Sequence, residues 1–122
     1  MTDDQKPDDR KPDDAKTPRL ETYAKKRLDI IVEAPIMNRL LDLLDRLAVT
    51  GYTVVPALAG RGREGSWRRA GLVSDAGQMV LVICVLDESR VPDVLEPVYK
   101  LLSRQIGVVT ISDVSVIRRE HF

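Results

Sequence analysis

The residues best suited to chemistry are concentrated between Arg61 and Gly77, a polar connection of 17 residues that joins two apolar segments. Strand pairs of this kind usually need only about 2 to 5 connecting residues. The connection holds the only tryptophan, four glycines and the arginines Arg61, Arg63, Arg68 and Arg69. Glycine lets backbone amides approach an anion closely, and arginine offers paired donors to phosphate. This composition predicts phosphate or anion binding, with a solvated basic hairpin tip as the alternative.

A glycine motif overlaps the start of this connection. Gly60-Arg61-Gly62-Arg63-Glu64-Gly65 fits the dinucleotide fingerprint G-x-G-x-x-G. That fingerprint works because a helix begins at its last glycine and directs its N-terminus at pyrophosphate. Residues 66–77 show no helical period and contain two further glycines, Gly71 and Gly77. The pattern therefore disfavours a Rossmann site and leaves anion binding by loop amides and arginines.

Other chemistries have weaker support. The only histidine, His121, is penultimate, and no serine has a recognisable histidine partner, so we predict that the protein is not an enzyme. One histidine and one cysteine, Cys84, do not predict a metal site. Cys84 lies inside an apolar strand, where we expect an inert core thiol. The net charge is zero, and the strands carry almost no aromatic residues for base stacking apart from Tyr23 and Tyr52 at strand edges, so nucleic acid is not an expected partner.

The elements that must position these residues follow from hydrophobic periodicity. Apolar alternation or continuous apolar runs predict the strands Tyr23 to Val32, Thr53 to Ala59, Met79 to Leu86 and Val108 to Ile117. Helical spacing predicts two amphipathic helices. The first begins near Pro35 and ends at Gly51 as its C-terminal cap. The second runs from about Ser89 to about Arg104, and its interior Pro97 predicts a kink or a regular part that starts near Pro97.

The order strand, helix, strand, strand, helix, strand predicts an α+β fold of the ferredoxin-like βαββαβ type, with an antiparallel four-stranded sheet and two helices on one face. The third strand is apolar on both faces. We therefore expect its uncovered face to pack against another subunit, because exposure would leave a large apolar patch in water.

The start of the chain differs in composition from the rest. Residues 1–22 contain the near-repeat Lys-Pro-Asp-Asp and almost no apolar side chains, which predicts a disordered charged tail before a single folded domain over 23–122. No apolar run approaches the roughly 20 residues of a membrane span, and the acidic start does not fit a secretory signal. We therefore expect a cytoplasmic protein.

Three short motifs together resemble the PII signal-transduction superfamily. They are Gly51-Tyr52-Thr53-Val54-Val55, Gly60-Arg61-Gly62-Arg63 and Gly107-Val108-Val109. The resemblance covers roughly Lys25 to Ile117, and it is nearest to the PII-like proteins associated with bicarbonate transporters and carboxysomes. The order and spacing of the motifs agree with the predicted order of strands and helices.

The resemblance implies a homotrimer whose sheets face one another, with adenine nucleotides in the clefts between subunits and a long loop, 61–77, that changes conformation with the ligand. It places near the nucleotide the residues Gly51, Tyr52 and Thr53 (adenine), Gly60, Gly62 and Arg63 (ribose and phosphates), Gly107, Val108 and Val109 (backbone groups), and Arg118 and Arg119 (phosphates). It assigns anion, bicarbonate or partner contacts more loosely to Arg61, Arg68 and Arg69.

The sequence also departs from the classical nitrogen-sensing members. The segment 104–109 before the last strand contains one glycine and no lysine, so we expect ADP or AMP rather than ATP with 2-oxoglutarate. The long loop has no tyrosine to accept a nucleotidyl group. The expected function is a sensor without a cofactor that reads ADP or AMP, with bicarbonate as a further ligand, and reports to an inorganic-carbon transporter. The alternatives are a ferredoxin-like trimer that binds no nucleotide and a slow nucleotide hydrolase.

Overall fold

The computed structural model describes residues 20–62, 65–68 and 78–118, and in 65–68 the backbone only. Three of the predicted site residues, Arg63, Arg69 and Arg119, lie outside the described residues. So do residues 1–19 of the predicted tail and residues 69–77 of the long loop.

A four-stranded antiparallel sheet with two helices forms the body of the protein. Its strands are β1 (Tyr23–Glu33), β2 (Thr53–Pro56), β5 (Met79–Leu86) and β6 (Gly107–Val116), in the spatial order β2-β5-β1-β6. The helices are α1 (Ala34–Arg46) and α2 (Val91–Leu102), the second preceded by a 3-10 turn at Glu88–Arg90. The two remaining strands, β3 (Ala59–Gly62) and β4 (Gly65–Arg68), form a separate antiparallel ribbon. The predicted ferredoxin-like fold is confirmed.

The hydrophobic core lies between the helices and one face of the sheet. Alternation along β1 turns Leu28, Ile30 and Val32 toward the helices, and all three are fully buried. β5 contributes Val82 and Cys84 to the same face. Each helix buries residues of its apolar stripe, which are Ile36, Leu40 and Leu44 in α1 and Val94, Val98 and Leu102 in α2.

The opposite face of the sheet is not covered by any described element of the chain. It carries the alternate residues of the same strands, including Ile31 of β1 and Ile83 of β5, which are half-buried. At the two edges, Val55 of β2 is 38% exposed and Val108 of β6 is 53% exposed. This uncovered sheet face is apolar over much of its area, as the composition of the third predicted strand indicated.

Helix α1 ends earlier than the sequence predicted, and Gly51 is not its cap. The capping residue is Leu47, and the following residue, Ala48, adopts the left-handed conformation with φ 60°. The amide of Ala48 donates to the Asp45 carbonyl at 3.0 Å, and the amide of Val49 donates to the Leu44 carbonyl at 3.1 Å. These two bonds are those of a Schellman motif. Because the left-handed residue is alanine, the usual signal of a glycine after the last helical turn is missing from the sequence.

Helix α2 also differs from the prediction. Its regular part begins at Val91, six residues before Pro97, and continues through that proline to Leu102. Ser89 lies within the 3-10 turn, and no side chain caps the helix. A second proline, Pro92, lies in the first turn, where a missing amide removes no helical hydrogen bond. The buried Val94 and Val98 on either side of Pro97 hold the helix to the core despite the lost hydrogen bond.

The second predicted strand is shorter than expected, and the polar connection is not a simple loop. β2 ends at Pro56 rather than Ala59, and the chain then forms the β3–β4 ribbon, with Gly60 opposite Trp67 and Arg61 opposite Ser66. The Ala57 amide donates to the Met79 carbonyl at 3.1 Å and joins the base of the ribbon to β5. Glycines and arginines give the ribbon no hydrophobic alternation, so its strands could not be predicted from periodicity.

Candidate functional site

The first predicted group, Gly51 to Thr53, lies at the start of the edge strand β2. Thr53 pairs with Ile83 and is exposed on the uncovered sheet face. Tyr52 has the opposite orientation, because its half-buried ring packs against the core. Desolvation, together with the negative charge of Asp45, raises the pKa of the Tyr52 hydroxyl above its usual value. The Thr53 hydroxyl therefore faces the space where a ligand can bind, whereas the Tyr52 side chain is engaged within the chain.

The ribbon continues from the same edge of the sheet and carries Gly60, Arg61 and Gly62 in β3. Arg61 and Gly62 are exposed, and Gly60 is half-buried. Arg68 lies in β4, where only the backbone is described. The structure thus brings the β2 group and the β3 group together along one edge.

The third predicted group, Gly107 to Val109, begins β6 at the other edge of the sheet. Gly107 pairs with Val32, and Val108 pairs with Ile31 on the uncovered sheet face. Val109 is turned inward and packs against the core. Two strands separate β6 from β2, so the edges are roughly 14 Å apart and their unpaired backbone groups point in opposite directions. One chain therefore does not bring the three groups together around one ligand.

Arg118 is separated from the β2, ribbon and β6 groups. It follows β6 at the end where Val116 pairs with Tyr23, and it is exposed. Because β6 rises about 3.3 Å per residue, this end is roughly 30 Å from Gly107. If Arg118 and Gly107 both contact nucleotide, they belong to different clefts.

Three of the described glycines, Gly51, Gly62 and Gly107, differ in what surrounds them. A β-carbon added to Gly51 or Gly62 would meet no atom within 4 Å. At Gly107, it would lie 2.9 Å from the backbone oxygen of Ile31. The packing of β6 against β1 therefore requires glycine at position 107. No contact within the described part of the chain explains glycine at 51 or 62, which fits surfaces that a ligand or another chain approaches closely.

The groove that the described residues form within one chain lies elsewhere. It has a volume of about 320 Å³ and lies between the outer sides of the helices, lined by Arg39, Asp42, Leu43, Arg46, Pro97 and Leu101. None of the predicted nucleotide residues lines it. Within the described residues, no group of three or more His, Cys, Asp or Glu side chains is arranged to hold a metal ion. Those residues also include no helix that is long and apolar enough to cross a membrane.

One positioning residue was missed by the sequence reasoning. The Arg90 guanidinium Nη2 donates to the Leu47 carbonyl at 2.6 Å, at the C-terminal end of α1. The cation satisfies a helix-end carbonyl and complements the helix dipole. It fixes the turn from which the chain continues to Gly51. No pattern in a single sequence indicates a contact between residues 43 positions apart.

Comparison with known proteins identifies the family. The family model for nitrogen regulatory protein P-II matches residues 25–121. No curated protein matches the chain significantly.

Several solved structures are similar. CPII, a nitrogen regulatory PII-like protein from Thiomonas intermedia K12 bound to ADP, AMP and bicarbonate, is 31% identical with a TM-score of 0.78, over 85% of this chain and 98% of that one. The same protein bound to ADP and bicarbonate is 32% identical with a TM-score of 0.74, over 85% of this chain and 99% of that one. A protein from Thermus thermophilus described as PII-like is 23% identical with a TM-score of 0.72, over 84% and 99%, and supports the fold alone.

The match to the family model covers most of the chain, and it agrees with the strand order and the two helices of the sheet. The relatives from Thiomonas intermedia are matched over nearly their whole length. The chain belongs to the P-II family of nitrogen regulatory proteins.

Proposed function

We propose that the protein is a PII-like sensor that binds ADP or AMP in clefts between the subunits of a homotrimer, with bicarbonate as a further ligand. The observation that carries the proposal is the similarity to CPII, which was solved with ADP, AMP and bicarbonate bound. The described geometry supports the position of the clefts. The candidate groups lie on opposite edges of one sheet, so a complete site requires the β2 edge of one chain and the β6 edge of another.

Within such a cleft, we assign each group the role that the family resemblance gives it, and the exposure of Gly51, Thr53 and Gly107 fits those roles. Thr53 offers an exposed hydroxyl to the base, and Gly51 allows close backbone approach. Gly60, Gly62 and Arg63 face the ribose and phosphates, and Arg118 and Arg119 add positive charge from the end of the chain. Gly107 and Val108 supply exposed backbone from the neighbouring chain, and Arg61, Arg68 and Arg69 serve the anion or the partner.

The signal would pass through the ribbon and the residues that follow it. Nucleotide at the base of the ribbon favours one conformation of the connection 61–77, and the partner binds that conformation only. We propose an inorganic-carbon transporter or a carboxysome-related protein as the partner and the cytoplasm as the location, both from the resemblance to the transporter-associated PII-like proteins. The protein reports nucleotide levels and does not turn over substrate.

A thermal-shift series tests ligand binding directly. The chain is heated with AMP, ADP, ATP, adenosine and a buffer control, each with and without bicarbonate. ADP and AMP are expected to raise the Tm by several degrees because they bind only the folded protein. Light scattering on the same samples gives the mass of the oligomer. A monomer whose Tm ignores every adenylate would overturn the proposal, and release of ADP or AMP from ATP with Mg²⁺ would identify a hydrolase instead.

A further inference from the structure

One charge pair lies on the uncovered sheet face, between apolar residues of β5 on one side and Ser112 and Thr110 of β6 on the other. Arg27 Nε donates to Asp29 Oδ1 at 2.7 Å, and Arg27 Nη2 donates to Asp29 Oδ2 at 3.3 Å, so the contact uses both carboxylate oxygens. The neighbouring strand β5 places Val85 beside Arg27 and Ile83 beside Asp29. Two further charged residues of β1, Lys25 and Glu33, lie on the same face. Between them along the strand, Arg27 and Asp29 are the only charged residues, and the other three strands of the sheet add none to this face.

The pair is only partly accessible to water even in one chain. The side chains of Arg27 and Asp29 are 38% and 27% exposed. The hydrogen bond that Arg27 donates to Asp29, followed by the negative charge of Asp29, raises the pKa of the Arg27 guanidinium. A second chain laid on this apolar face would remove the remaining water from both ions. Such an ion pair adds little net stability, but a neighbour that buries its unused hydrogen-bonding groups without supplying partners for them is disfavoured.

The arrangement favours a second copy of this chain as the occupant. In a ring of identical chains the same two surfaces meet at every junction, so the cation of one copy can lie against the anion of the next. Arg27 has five N–H groups and uses two within the chain, so three remain for a carboxylate on a neighbouring copy. The two oxygens of Asp29 likewise accept further hydrogen bonds. A foreign chain with an apolar or like-charged residue at either position lacks these partners.

We propose that Arg27 and Asp29 determine specificity at the subunit interface, so that the uncovered sheet face assembles with further copies of this chain and excludes related chains. The inference rests on the homotrimer of the proposed function. It adds what selects the subunits: a mismatched neighbour would bury the Arg27 N–H groups that the pair itself leaves unused without offering them hydrogen bonds.

The test compares oligomer mass, by native mass spectrometry and analytical ultracentrifugation, over a dilution series of the full chain. Asp29→Asn keeps the shape of the side chain and removes its charge. We expect it to raise the concentration needed for assembly roughly a hundredfold. The double variant Arg27→Leu/Asp29→Leu should assemble as well as the wild type, because both ions are gone. Mixed with wild-type chains, it should form fewer mixed oligomers than random exchange gives.

The control variant is Asp113→Asn. It removes an 84% exposed carboxylate that pairs with Lys26 on the opposite side of the sheet, and it should leave assembly unchanged. Two results would each overturn the role of Arg27 and Asp29 while leaving the homotrimer intact. One is that Asp29→Asn assembles as readily as the wild type, and the other is that the double variant mixes statistically with wild-type chains. A wild-type chain that stays monomeric at every concentration would overturn the homotrimer as well. If circular dichroism shows that Asp29→Asn does not fold, the mixing experiment with the double variant tests the proposal by itself.

Discussion

Gly51 and Gly107 both belong to the predicted nucleotide site, but their surroundings give different physical reasons for a glycine at each position. Position 107 has no room for a β-carbon, because the backbone oxygen of Ile31 would lie 2.9 Å away. Position 51 has open space. A sequence motif cannot separate a glycine that the fold requires from one that a ligand requires, because both are written with the same letter. The structure makes the two separable by mutation.

Gly107→Ala is expected to lower the free energy of unfolding by about 1–3 kcal/mol, because backbone atoms would have to shift. Gly51→Ala should leave that free energy unchanged or raise it by up to about 1 kcal/mol, while it weakens binding of ADP. Denaturant unfolding and calorimetric titration measure the two effects. Equal losses of stability in both variants would contradict the distinction.

The buried thiol predicts a pH effect. Burial, followed by the charge of Asp29, raises the pKa of Cys84 from 9.0 to about 11. Above pH 9 the unfolded thiol loses its proton while the folded thiol keeps it, so this contribution to stability falls between pH 9 and about 11. Relative to Cys84→Val, the wild type should lose roughly 2–3 kcal/mol over that range. Urea unfolding of both proteins at pH 8 and pH 11 checks it, and a constant difference would contradict it.

Arg63 lies outside the described residues, and its role stays a prediction from the sequence. Arg63→Ala should weaken ADP about 10- to 100-fold, because a charged hydrogen bond to phosphate is lost, and should leave adenosine almost unaffected. Arg39→Ala, on the exposed side of α1, is the matched control and should change neither affinity. Isothermal titration calorimetry with both ligands gives the comparison. Equal losses for ADP and adenosine would rule out a phosphate contact.

Among the strands and helices, the hydrophobic periodicity of the sequence was sufficient to predict which elements form the body of the fold, but not the residues at which they end. The stripes of α1 and α2 and the alternation of β1 reflect one buried face, which is a local property that a sequence displays directly. The end of α1 depends on Ala48 in a conformation usual for glycine. In the ribbon, β3 contains no fully buried residue, so it leaves no hydrophobic pattern in the sequence. The sheet edge on which each predicted site residue lies depends on strand order, which spacing alone does not give.

The end of α1 provides a prediction of stability. A non-glycine residue in the left-handed conformation costs roughly 1–2 kcal/mol, so Ala48→Gly should raise the free energy of unfolding by about 1 kcal/mol. Ser103, the capping residue of α2, has φ −59°, and Ser103→Gly should lower stability instead. Thermal and urea unfolding of both variants provide the measurement. A loss of stability in Ala48→Gly would mean that Ala48 makes a contact that outweighs its strain.

At the scale of the whole molecule, the separation of the candidate groups links binding to assembly. If the β2 edge of one chain and the β6 edge of another form each cleft, nucleotide must stabilise the oligomer, and dilution must weaken nucleotide binding. Sedimentation with and without ADP should show assembly at lower protein concentration in its presence. Affinity for ADP that stays constant through complete dissociation would place the site within one chain.

Pro56 also limits how the sheet can grow. The Ala57 amide bonds to β5, and amides alternate in direction along an antiparallel strand, so the nitrogen of Pro56 faces outward, where it has no hydrogen to donate. Open-ended fibres formed by stacking sheets edge to edge need both outer strands to accept a neighbour. The edge of β2, four residues long and without a donor at Pro56, therefore offers a further strand fewer hydrogen bonds than the ten-residue edge of β6, which disfavours growth along the sheet.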